Sequence, residues 1–168
     1  MKILAIDPGT TESAWMYYDT GTKIPMAFGK EENAAVFKQL SDRVIDLLAI
    51  EMVGAYGMPV GASVFETVLW IGRYMQYWLD DHHAMNSVRL IYRKKDVCMH
   101  LCGNTKAKDP NIRQVIMDRY GSSRQVAIGT KKHQGPLFGI ANDVWSAFAI
   151  AITAAETPCE QPCSTILS

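Results

Sequence analysis

Three acidic side chains stand where the surrounding sequence is apolar. Asp7 ends one short apolar run, Glu51 interrupts another, and Asp143 opens an otherwise apolar C-terminal segment. A carboxylate in or beside a core costs several kcal/mol unless it is paired or binds a cation. Carboxylate oxygens suit Mg²⁺ or Mn²⁺, and two such ions about 4 Å apart can activate water and stabilise the leaving oxygen of a phosphodiester. We therefore predict that these three acids converge as catalytic metal ligands.

Each acid also has a purely structural interpretation. Asp7 precedes Pro8 and Gly9 and is a natural turn former, whereas Asp143 has the residue type of a helix N-cap. Glu51 fits the exposed side of an edge strand. Taken singly, these interpretations compete evenly with a metal site, and the joint placement of the three acids favours the metal.

The elements that must position these acids read as one mixed α/β domain. Three runs rich in apolar and β-forming residues predict antiparallel strands at 2–6, 13–18 and 23–28. Two more strands are predicted at 47–53 and 88–92, and helices after Asn33 and at 63–79, 111–120 and 142–155. A β-meander followed by alternating helices and strands predicts an α/β fold with a mixed five-stranded sheet flanked by helices.

Four short segments occur in the order seen in RuvC-type Holliday junction resolvases. They are I-D-P-G-T at 6–10, A-I-E at 49–51, Gly103 with N-I-R-Q-V at 111–115, and D-V-W-S-A-F-A-I-A at 143–151. The sequence resembles that family from Lys2 to about Ala155, and its short form with a G-M-P-V-G loop looks most like a phage version. The resemblance implies an RNase H-like fold and a homodimeric, Mg²⁺-dependent endonuclease that cuts branched DNA such as four-way junctions, with two ions per site.

The last helix departs from the family pattern at its second acidic position. The family has two acids three residues apart, whereas this chain has Asp143 followed by Ser146. A hydroxyl is a weaker Mg²⁺ ligand than a carboxylate, so Ser146 is predicted as the poorest of four ligands. Water, Asn142 or His133 are alternatives for completing that position.

The family also places basic residues beside the metals. Lys106 and Lys108 are the candidates in this chain, and we assign a catalytic role to Lys108. Both lysines also fit a simple solvated loop. Cys98 stands where many resolvases have a lysine after the fifth strand, and Tyr56 is a candidate for stacking on an unpaired base.

Positive charge is concentrated in one stretch of a chain whose net charge is zero. Residues 89–132 contain eleven Lys and Arg residues against three acids. A basic face on an otherwise acidic body fits a polyanion such as DNA, although a solvated loop-rich surface would look the same. The predicted DNA-binding residues are Tyr56, Arg93, Lys94, Lys95, Lys106, Lys108, Lys131 and Lys132.

Two other functions fit parts of this sequence. The D-P-G-T-T run at 7–11 resembles the phosphate-binding turn of actin-like ATPases, but those proteins need about twice this length and a second such turn. A protein that binds branched DNA without cutting it would keep the fold and tolerate Ser146.

Length and composition bound the remaining expectations. A chain of 168 residues with 48% hydrophobic and 20% charged residues predicts a single nuclease domain at 1–156 and a flexible tail at 157–168. The N-terminus does not read as a signal peptide and the longest apolar stretch is too short for a membrane span, so we expect a cytoplasmic protein. The pairs Cys98/Cys102 and Cys159/Cys163 have zinc-ligand spacing but more often represent free thiols.

Overall fold

The sheet has five strands in the spatial order β3-β2-β1-β4-β5. The computed structural model describes residues 1–54, 57, 60–82 and 87–158, with the backbone alone at 81 and 82. The strands are β1 (Lys2–Asp7), β2 (Glu12–Asp19), β3 (Ile24–Glu32), β4 (Leu47–Met52) and β5 (Val88–Tyr92). β2 pairs antiparallel with β1 and β3, whereas β4 pairs parallel with β1 and β5. The predicted mixed sheet is confirmed.

Helices lie on both faces of this sheet. They are α1 (Asn33–Ser41), α2 (Ala62–His82), α3 (Met99–Cys102), α4 (Asp109–Tyr120), α5 (Arg124–Ala127) and α6 (Val144–Glu156). The sequence predicted α1, α2, α4 and α6. It missed α3, α5 and a π-helical segment, Arg93–Cys98, that joins β5 to α3.

Alternation along the central strand divides the core in two. Ile3 and Ala5 pack on the α6 side of the sheet, whereas Leu4 and Ile6 pack on the side that α1 and α2 cover. Helix α6 is buried around almost its whole circumference, which explains its uniformly apolar sequence. Within the described residues, no helix combines the length and apolar character that crossing a membrane requires.

A buried hydrogen-bond network holds the turn that follows Asp7. The Ser13 hydroxyl donates to Asn33 Oδ1 at 2.6 Å and accepts from the Gly9 amide at 3.3 Å. The Asn33 side-chain amide donates to the Gly9 carbonyl oxygen at 3.1 Å. Tyr74, on α2, donates to the Asn33 carbonyl oxygen at 3.1 Å and lies 3.2 Å from Ser13 Oγ. A Cβ at Gly9 would collide with the Glu12 carbonyl oxygen, so the turn requires glycine.

Asn33 differs from its expected role. The sequence placed it just ahead of the first helix, where an asparagine normally caps the free amides. In the structure Asn33 is the first residue of α1, and its buried side chain turns inward to the Gly9 turn. The polar residue at the helix start therefore orders the segment that carries Asp7.

We expect Tyr74→Phe to destabilise the fold by about 1–2 kcal/mol, because it removes a buried donor from this network. Burial raises the pKa of Tyr74 to about 12, so its hydroxyl remains protonated and able to donate at neutral pH. Urea denaturation measures the change. Tyr77→Phe is the matched control, since Tyr77 is an exposed tyrosine of the same helix. Equal losses in the two variants would contradict a structural role for the network.

Candidate active site

Asp7 and Glu51 lie side by side at the ends of the two central parallel strands. β1 and β4 pair in a register that aligns Ile6 with Ile50, so the next residue of each strand is an acid. Ala5 and Ala49, two residues earlier, belong to the core on the α6 side, and side chains alternate along a strand. Both carboxylates therefore face the same side of the sheet, towards α6.

Burial makes this pair of acids electrostatically expensive. Desolvation raises the pKa of Asp7 to about 8, and the charges of Glu51 and Asp143 add to that increase, whereas Arg93 and a hydrogen bond from Ser146 oppose it. Desolvation also raises the pKa of Glu51, against the attraction of Arg93. One carboxylate oxygen of Glu51, Oε2, is buried without a hydrogen-bond partner. A bound cation would offset each of these costs.

Asp143 approaches from the start of α6. Its side chain is 55% exposed, and its Oδ2 atom lies 2.9 Å from Nζ of Lys30, which is also 3.4 Å from a Glu12 oxygen. Asp143 occupies the N-cap position of α6 but makes no side-chain capping hydrogen bond. The capping interpretation therefore fails for this residue, which lines the cleft together with Ser146.

Arg93 lies inside the site rather than on an outer DNA-binding face. Its guanidinium donates from Nη1 to Ser146 Oγ at 3.3 Å and forms an ion pair with Asp109 through Nη2. Ser146 also lowers the pKa of the Asp7 carboxyl. Ser146 therefore links an acid of β1 to a cation that follows β5.

Lys30 and Asp109 are site residues that sequence reasoning missed. Asp7 pairs with Ala14 across β1 and β2, and Ala14 pairs with Lys30 across β2 and β3. A hairpin register predicted residue by residue would therefore have placed Lys30 in line with Asp7. Asp109 had no comparable signal, because the π-helical segment that brings Arg93 to it was not predicted.

An open cleft of about 560 Å³ is lined by Asp109 and Asp143, whereas Asp7 and Glu51 are not part of its lining. Its wall combines the site residues with part of α4, where the Arg113 guanidinium lies 4.7 Å from the centre of the Trp145 ring. The buried Nε of Arg113 has no hydrogen-bond partner. The lining residues are Lys30, Arg93, Asp109, Pro110, Ile112, Arg113, Asn142, Asp143, Trp145 and Ser146.

The donor set fits a hard divalent cation, although the ligand set is not fully assembled. Asp7, Glu51 and Asp143 offer carboxylate oxygens, and the unpartnered Oε2 of Glu51 is the atom a cation would satisfy. In the described part of the chain, no group of three or more His, Cys, Asp or Glu side chains is close enough to hold a metal ion. Joint ligation by the three acids thus stays a prediction.

The other predicted residues lie on the surface, away from the lining of the cleft. Lys106 and Lys108 are exposed in the loop before α4, and Lys94 and Lys95 are exposed on the π-helical segment. Lys131, Lys132 and His133 are exposed at a loop tip closed by a hydrogen bond from the Thr130 amide to the His133 carbonyl oxygen. Tyr56 lies outside the described residues.

The cysteines of the first pair are free thiols. Cys98 is buried and Cys102 partly buried, and burial raises the pKa of the Cys98 thiol. A neutral buried thiol cannot replace a lysine as a cation. Cys159 and Cys163 lie outside the described residues.

Solved structures of Holliday junction resolvases resemble this chain. RuvC of Thermus thermophilus matches with a TM-score of 0.64 and 15% sequence identity, over 92% of this chain and 93% of that one. RuvC of T. thermophilus in complex with Holliday junction substrate matches with a TM-score of 0.65 and 14% identity, over 92% of each chain. No protein-family model and no curated protein matches the sequence. At this identity the likeness establishes the fold, and the predicted RNase H-like fold is confirmed.

We expect Asp7→Asn to stabilise the metal-free protein increasingly as the pH rises. The pKa of Asp7 is raised from 3.8 to about 8 on folding, so ionisation costs stability as the pH increases between these values. Asparagine does not ionise, and the advantage of the variant should grow by about 1–3 kcal/mol between about pH 5 and about pH 9. Chemical denaturation in EDTA measures it.

Asp42→Asn is the matched control for this measurement, because Asp42 is exposed at the end of α1. Its free energy of unfolding should follow that of the parent at every pH. An Asp7→Asn advantage that is constant or shrinks with pH would contradict the burial of a charged Asp7.

Proposed function

We propose that this protein is a metal-dependent endonuclease that hydrolyses phosphodiester bonds in branched DNA, such as four-way junctions, during recombination, repair or phage DNA processing. The observation that carries the proposal is the buried pair Asp7 and Glu51 near the ends of adjacent parallel strands, with an unpartnered carboxylate oxygen on Glu51. A divalent cation would stabilise the ionised form of such a pair, and phosphodiester hydrolysis is chemistry that Mg²⁺ or Mn²⁺ supports.

In this proposal the acidic residues of the site bind the metal and the basic residues bind the phosphate. Asp7, Glu51 and Asp143 would hold Mg²⁺ or Mn²⁺, which when bound would activate a water and stabilise developing negative charge. Lys30 and Arg93, two of the three basic side chains that line the cleft, orient a phosphate by charge-assisted hydrogen bonds. Lys108, at the start of α4, is proposed to move towards the scissile phosphate when DNA binds.

The proposed substrate class rests on the fold and on the distribution of positive charge. One of the matching RuvC structures contains Holliday junction substrate. Part of the basic stretch is used inside this protein, since Arg89 bonds the carbonyl oxygens of Ala154 and Thr157 at the end of α6. We propose phosphate contacts, which position DNA without reading its sequence, for the exposed lysines. They are Lys94, Lys95, Lys106, Lys108, Lys131 and Lys132.

A branch-binding protein that does not cut is the second candidate. It is favoured by the ion pair between Arg93 and Asp109 and by Ser146, which together place a guanidinium and a hydroxyl among the acids. In that case the cleft would bind a phosphate without activating water. Cleavage assays separate the two candidates.

We expect Asp7→Asn to reduce junction cleavage at least ~100-fold while junction affinity stays within about threefold of the parent, because the exposed lysines are separate from the acids. The assay compares four-way junction, flap, duplex and single strand with Mg²⁺, with Mn²⁺ and with EDTA. Binding is measured with Ca²⁺ in place of Mg²⁺.

Asp42→Asn should cleave like the parent and controls for the substitution itself. Metal-dependent cutting by the parent that Asp7→Asn retains in full would refute the catalytic assignment. Junction binding by the parent without cleavage under any metal would select the non-cutting candidate.

We also propose a homodimer formed through α2. Phe65 is 66% exposed and Leu69 is 61% exposed on the side of α2 opposite its buried residues Ile71 and Tyr74. Gly72 lies on the same exposed side, and a Cβ there would meet no atom within 4 Å, so packing within the chain does not require glycine. A four-way junction is nearly two-fold symmetric, and a two-fold dimer presents two sites to it.

Leu69→Lys should shift the protein from dimer to monomer at micromolar concentration, because it places a charge in the proposed apolar interface. Sedimentation velocity measures the change. Val44→Lys is the matched control, since Val44 is 79% exposed in the segment between α1 and β4, and it should sediment like the parent. A parent protein that is monomeric at this concentration would contradict the proposal.

A further inference from the structure

Two of the three basic side chains that line the cleft, Lys30 and Arg93, are already paired with the outer acids. Lys30 lies 2.9 Å from Asp143 Oδ2, and Arg93 forms an ion pair with Asp109. In the described part of the chain, Asp7 and Glu51 have no ion-pair partner. The negative charge that remains to attract a cation is therefore concentrated on the two strand-end acids.

Arg93 is held as a fixed part of the site. Its side chain is 20% exposed, and its guanidinium is bonded on one side to Ser146 Oγ and on the other to Asp109. The backbone below it is also fixed, because the Tyr92 amide donates to Asp96 Oδ2 at 2.7 Å. A guanidinium stays charged at any accessible pH, so this cation is permanent.

Ser146 joins that cation to the strand-end acids. Its hydroxyl accepts from Arg93 at 3.3 Å, and Ser146 and Arg93 both lower the pKa of Asp7. A divalent ion next to Ser146 would thus lie against the guanidinium and be repelled by it. Arg93 donates no hydrogen bond to Oε2 of Glu51, which is buried without a partner and is left for a cation.

We propose that the guanidinium of Arg93 takes the place of the second of the two expected metal ions. The protein then binds a single divalent cation, which is held by Asp7 and Glu51. The inference rests on the proposed function in that both require a metal, and it replaces the expected two ions with one. Arg93 also lines the cleft, and its planar guanidinium is suited to contact the oxygens of a bound phosphate.

The number of bound ions tests this inference without any reaction. The full-length chain, without DNA, is titrated with Mn²⁺ by isothermal calorimetry, and free Mn²⁺ is counted by electron paramagnetic resonance. One ion per chain is the expected result. Two ions would overturn the inference and leave the proposed nuclease intact, whereas no bound ion would overturn the metal-dependent function itself.

Arg93→Gln tests whether Arg93 sets that number. Removing the guanidinium leaves Asp109 without its partner and should allow a second Mn²⁺ to bind. Arg124→Gln is the matched control, because Arg124 is an exposed arginine on α5, outside the lining of the cleft, and it should bind one ion. A second ion that fails to appear in folded Arg93→Gln would overturn the role given to Arg93.

Ser146→Asp keeps the inference testable if Arg93→Gln does not fold, as judged by circular dichroism. The new carboxylate would lie against the guanidinium and pair with it, so this variant should still bind a single Mn²⁺. Two ions bound to Ser146→Asp would show that the missing carboxylate, and not Arg93, limits the parent to one.

Discussion

The structure depends on one unfavourable arrangement, the burial of two carboxylates at the ends of its central strands. β1 and β4 are parallel neighbours that carry Asp7 and Glu51 near their C-terminal ends, on the same side of the sheet. Ionising both in a desolvated site is costly, and the raised pKa values of the two groups express that cost. The roles of the surrounding side chains follow from how they reduce this free-energy cost of ionisation.

Two kinds of support surround this pair. Arg93 and Lys30 bring positive charge from elements far apart in sequence, and each is tied to an acid of its own, Asp109 or Asp143. Beneath the site, a neutral network centred on Ser13 fixes the turn after β1 by hydrogen bonds alone. The ion pairs of Arg93 and Lys30 therefore line the cleft, whereas the hydrogen-bond network that holds the turn after β1 is uncharged.

The sequence predicted what periodicity and local chemistry determine. Apolar periodicity predicts the strands and the main helices. Asp7, Glu51 and Asp143 are recognised as candidate site residues because they are acids within or beside apolar runs. Arg93 is predicted together with Lys94 and Lys95 as part of one basic DNA-binding face because all three lie in the same basic stretch, and nothing in the charge pattern distinguishes the first residue of the π-helical segment from the next two. Lys30 and Asp109 were missed because they reach the site through strand register and helix docking, which are long-range properties.

Helix α6 also limits how such a site can evolve. From Ala147 to Ala154 its side chains are buried against the sheet and the neighbouring helices, so a charged residue there would disrupt the core. Only the first turn, with Asp143 and Ser146, opens onto the cleft. Substitutions on this helix that change the chemistry of the site are therefore expected at Asp143 and Ser146. A single substitution at either position can change the net charge of the site while the fold is retained.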